Sequence, residues 1–132
     1  MNARTMIAAY SIIVGTMMVA MWSVFALTDQ IPELEERPKE IAFHLAAEFA
    51  TAFALLAGGV GLAYSRRWGF GLNMTALGML AYTVVVSPGY YAQAGEYAFV
   101  GMFATLMLLT LAFIALSLVK RDELTSPTGA SQ

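Results

Sequence analysis

Glu48 is the one acidic residue well inside an apolar stretch; the chain's only histidine, His44, stands four positions before it, and Glu40 four before that. Residues four apart on a helix share a face, so Glu40, His44 and Glu48 form a ladder descending from the surface. With Ile41 at the hydrocarbon boundary, Glu48 lies roughly 10 Å deep at about 1.5 Å per residue. An ionisable group at that depth costs about 2.5–3.5 kcal/mol on insertion scales and is by default a functional candidate.

Three chemistries suit such a ladder. It can take a proton or cation from the outer side and hold it at Glu48. It can bind a metal, because imidazole and carboxylate at i, i+4 supply two ligands, His44 and Glu48, to which Glu40 adds a third. It can orient a quinone-like or lipid-like ligand entering from the outer leaflet, with Trp22, Tyr82 and Tyr91 available for stacking or hydrogen bonding. Counting inward from the outer ends of the spans puts Tyr82, Thr83 and Thr105 near the level of Glu48. The structural alternative is that His44 and Glu48 hydrogen-bond each other and a facing Tyr or Thr, clamping helices together. Catalysis would need a cofactor that the sequence does not advertise.

The elements that must position these residues follow from composition. Of 132 residues, 59% are hydrophobic and 12% charged, against roughly 25% charged in an average soluble domain. A bilayer core needs about 20 apolar residues per helix, and four stretches qualify, near 6–27, 41–64, 69–87 and 98–119. The breaks are chemically plain. Seven charges and two prolines fall in 28–40, Arg66 and Arg67 in 65–68, and Pro88, Gly89 and Gly95 in 87–97. The first stretch, with a run of about 22 apolar residues, exceeds the roughly 7–15 of a secretory h-region and is retained as a membrane helix. The expected fold is therefore all-α, an integral membrane four-helix transmembrane bundle spanning residues 1–121, followed by a disordered polar tail over 122–132.

Four spans put both termini on one side together with Arg4, Arg66, Arg67, Lys120 and Arg121, whereas the other side has only Arg37 and Lys39. The positive-inside rule makes the richer side cytoplasmic, a pattern that suits a prokaryotic inner membrane. Arg66 and Arg67, beside Trp68, are candidates for anionic lipid head groups, and Tyr90, Tyr91 and Tyr97 for an interfacial belt at the opposite end. Lipid tails compete for apolar side chains, so packing relies on small residues. Ala46, Ala50, Ala54 and Gly58 form such a stripe in the second span and Gly71 and Gly78 in the third, which makes those two the expected tight pair. Asn73 is expected to form an interhelical hydrogen bond. The partners implied are membrane lipids and either a second copy of the chain or another membrane subunit. The net charge of −2 lacks the basic excess that nucleic acid requires. The absence of cysteine removes disulfides, catalytic thiols and thiolate metal sites.

Overall fold

Continuous apolar runs leave the backbone no water to bond, so each run closes its hydrogen bonds internally as a helix. The computed structural model describes residues 2–126, and within them the ordered elements are all helices. In chain order they are α1 (Ala3–Leu27), α2 (Glu33–Glu36), α3 (Pro38–Ala63), α4 (Gly69–Gln93), α5 (Tyr97–Val119) and α6 (Arg121–Thr125). The four long ones, α1, α3, α4 and α5, are each long and apolar enough to cross a membrane. This is the pattern of a multi-pass membrane protein.

Local chemistry sets the ends. Asn2 caps α1 by accepting from the Thr5 N–H at 2.9 Å, and Pro38 opens α3, where its missing N–H costs nothing. Three long helices close alike, with a left-handed residue just past the end: Asp29 (φ 55), Ser65 (φ 58) and Gly95 (φ 77). In each case the next N–H reaches back five residues, Gln30 to the Phe25 carbonyl, Arg66 to Gly61 and Glu96 to Tyr91, which satisfies an otherwise orphaned carbonyl.

Two boundaries differ from the sequence expectation. Helix α4 does not stop at Ser87 but continues through Pro88 to Gln93. A proline removes one i to i−4 bond, here the one to Val84, while the helix resumes beyond it; the stop belongs to Gly95. Residues 122–125, assigned to the polar tail, form most of α6, because Leu124 has an apolar side chain to bury and is only 3% exposed. The rest of the assigned tail, residues 127–132, lies outside the described residues, as does the side chain of Tyr90.

Helix α3 lies between α1 and α4 and packs on both to a similar extent, while α5 packs mainly on α4. The tight pairing expected for α3 and α4 is therefore shared with α1. Glycines permit the close approaches. A Cβ on Gly58 would lie 2.7 Å from the Asn73 Cα of α4, and one on Gly15 would lie 2.9 Å from the Ala52 carbonyl of α3. The expected small stripe is not the seam. Ala46 and Ala50 are exposed, Ala54 is half-buried, and of the four only Gly58 is buried. A Cβ on Gly71 or Gly78 would meet nothing within 4 Å. A helix with two neighbours buries a broad face, and here that face carries Glu48, Thr51, Ala52, Leu55, Gly59 and Leu62.

Polar ties cross the bundle at the end that carries both termini. The Tyr10 hydroxyl lies 2.8 Å from the Thr110 hydroxyl, and the Tyr10 ring stacks on Phe113 at 4.5 Å, joining α1 to α5. The Arg4 guanidinium donates to the carbonyls of Leu62 and Glu123, each at 2.9 Å, and of Ser126 at 3.1 Å. Asn73 does not form its expected bond through oxygen: its Oδ1, like the Ser11 Oγ, is buried with no partner among the described residues.

Candidate functional site

At the other end of the bundle, α3 delivers His44 and Glu48 from successive turns, and α1 meets them with Trp22. The indole Nε1–H donates to Glu48 Oε2 at 3.1 Å. The same ring stands edge-on to the His44 imidazole, with centroids 5.6 Å apart and planes at 76°. Phe25, one turn further along α1, meets the indole at 6.0 Å and 87° and holds its orientation. Trp22 therefore braces both members of the pair. No hydrogen bond or ion pair joins His44 to Glu48 directly, so the mutual clamp expected of a purely structural role is replaced by a tie from Glu48 to α1.

Glu48 is 4% exposed. Its Oε1 accepts no hydrogen bond among the described residues, and no cationic side chain lies within ion-pair distance. Beside it, α3 and α4 flank an open-sided cavity of about 230 Å³. Helix α3 contributes His44, Ala47, Glu48 and Thr51; α4 contributes residues from Met79 to Ser87, Tyr82 and Thr83 among them. The Thr51 hydroxyl donates to the Ala47 carbonyl at 2.8 Å, and that of Thr83 to the Leu80 carbonyl at 3.1 Å. Both hydroxyls have thus spent their protons and retain only acceptor capacity.

Of the residues expected to form a site, His44, Glu48, Trp22 and Tyr82 come together, although Tyr82 remains 72% exposed and lines the cavity mouth. Glu40 does not join them. It pairs with Arg37 at 3.5 Å on the surface, so the ladder ends at His44. Thr105 is also apart, exposed on α5 with its hydroxyl donating to the Gly101 carbonyl of its own helix at 3.0 Å. Tyr91 stacks on Phe99 at 4.7 Å, between α4 and α5. No group of three His, Cys, Asp or Glu side chains among the described residues could hold a metal ion, which leaves His44 and Glu48 as two ligands without a third. Arg66 and Arg67 are exposed in the turn between α3 and α4, far along α3 from this site.

A family model matches residues 1–128. The chain belongs to the family described as a domain of unknown function, DUF8058. No curated protein and no solved structure matches it.

Thr51 was the site residue least visible in the sequence. Its signal was positional: 44, 48 and 51 follow the i, i+4, i+7 rhythm of one helical face, and a hydroxyl there continues the polar track from Glu48. That α4 supplies the opposite wall depends on the crossing of two helices, which no local pattern encodes.

Proposed function

We propose that this is a small polytopic membrane protein that binds a proton, a cation or a small amphipathic ligand at an outer-leaflet site formed by His44 and Glu48, working as a transporter, sensor or accessory subunit. One observation carries the reading: Glu48 is held by Trp22 through one oxygen and leaves the other unbonded beside a cavity that His44 also lines. An oxygen left accessible in this way is free to meet a proton, a cation or a ligand's donor. The positive-inside bias supports termini in the cytoplasm and this site in the outer half of a prokaryotic inner membrane. At the opposite face, Arg66 and Arg67 are available to the phosphates of anionic lipids. If the function is transport, a homo-oligomer is expected, because four packed helices leave no continuous aqueous route.

The test is native mass spectrometry of gently extracted protein, comparing wild type with Glu48→Gln and His44→Ala. A retained organic or ionic mass lost from either variant supports the site, while clean apo masses in all three count against it. The second reading, a structural or assembly subunit whose buried polar residues fix helix packing, draws on the Trp22–Glu48 bond between α1 and α3. Under that reading Glu48→Gln keeps the bond and changes nothing else.

A further inference from the structure

The cavity between α3 and α4 has a polarity that narrows what it can take. At its head stands the Glu48 carboxylate, with Oε1 unbonded and no cation within ion-pair distance. The two threonines beside it, Thr51 and Thr83, have already given their protons to carbonyls of their own helices, so only lone pairs remain. The one indole N–H at the site is committed to Glu48. The donors left at the wall are the half-buried His44 and Ser87 and, at the mouth, Tyr82, so the Glu48 carboxyl is the one acidic group there.

The remaining wall is apolar, from Ala47, Met79 and Val86, with the Tyr82 ring at the mouth. The cavity measures about 230 Å³, and an apolar cavity of about 150 Å³ is enough to hold benzene. There is room for one ring and a short arm. A calcium-like cation takes about 6–8 oxygen ligands, more than Glu48, Thr51 and Thr83 supply, whereas an ammonium needs one counter-charge, an acceptor or two and a surface for its carbon skeleton.

We propose that the occupant is an amphipathic amine, with its protonated amino group on Glu48 Oε1 and an apolar body of about one aromatic ring between α3 and α4. This rests on the ligand-binding reading of the same site and names its chemical class. Tyr82 and Val86 are exposed on the flank of the bundle, so the amine reaches the cavity from the lipid side of the α3–α4 crevice.

The test uses the full chain in lipid nanodiscs with Trp68→Phe, which leaves Trp22 as the single indole reporter. 2-Phenylethylamine and its neutral isostere 2-phenylethanol are titrated at neutral pH against lipid-only discs. The expected result is amine binding at least tenfold tighter than alcohol binding, with the difference erased by Glu48→Gln and both ligands excluded by Ala47→Phe. Thermal melting confirms that each variant folds. Equal binding of amine and alcohol, unchanged by Glu48→Gln, overturns the amine class while leaving the cavity a binding site if Ala47→Phe still excludes both. Failure of the amine to bind folded wild type also overturns the proposal. If native spectra then show no retained mass either, the site reading falls with it.

Discussion

Glu48 and Trp22 set the chemistry at the residue scale. Interhelical hydrogen bonds inside membranes average about 0.6 kcal/mol and reach about 1.7, and a carboxylate acceptor places this bond toward the upper part of that range. A double-mutant cycle of Trp22→Phe and Glu48→Ala, read by unfolding in mixed micelles, should return about 1 kcal/mol of coupling; additive effects would mean that the bond contributes nothing. Asn73 supplies the opposite case. Its Oδ1 is buried without a partner, so Asn73→Leu, close in volume and free of polar atoms, should hold or raise stability by about 1 kcal/mol in the same assay. Glu48 was legible in the sequence because a carboxylate in an apolar run stands out by type alone. Its partner was visible only as an aromatic at a compatible depth, because the rotation of α1 that aims the indole at α3 comes from packing. Glu40 was misplaced because spacing on a helix fixes the face but not the surface competition, which Arg37 wins three residues away.

Close approach governs the elements, and glycine spacing alone did not reveal where it occurs. Gly58 faces backbone atoms of α4 that cannot move aside, so Gly58→Ala should destabilise the bundle by about 1–3 kcal/mol. Gly78 faces open space, so Gly78→Ala should be neutral or add up to about 1 kcal/mol through helix propensity. Thermal melting of the pair in one detergent separates them, and equal losses would contradict the packing described. The number of long helices and most of their limits were readable from apolar length, charge runs and arginine pairs. The end of α4 was not, since Pro88 resembles a stop until the left-handed Gly95 beyond it is recognised as the true one. The seam of α3 was likewise hidden: a run of small residues shows where a helix can approach, whereas the side that is used depends on having neighbours on two sides.

Orientation is a property of the whole molecule and is tested directly by labelling. The chain contains no cysteine, so single-cysteine variants report without background. Gln30→Cys and Ala94→Cys should react with an impermeant maleimide on intact cells, and Arg67→Cys only after permeabilisation; the reverse pattern would invert the topology and put the His44–Glu48 site in the inner leaflet. The Arg4 clamp gives a second global prediction. Arg4→Gln removes three guanidinium bonds and should raise amide hydrogen exchange across 120–126 while leaving the α3–α4 core protected. The same clamp sets an order of events during synthesis. Arg4 is made with the first helix and finds the Leu62 carbonyl when α3 arrives, yet its remaining partners lie 119 and 122 positions downstream. Until α5 has followed, the guanidinium is only partly fastened, and a chain stalled after α4 presents an open seam where α6 would dock.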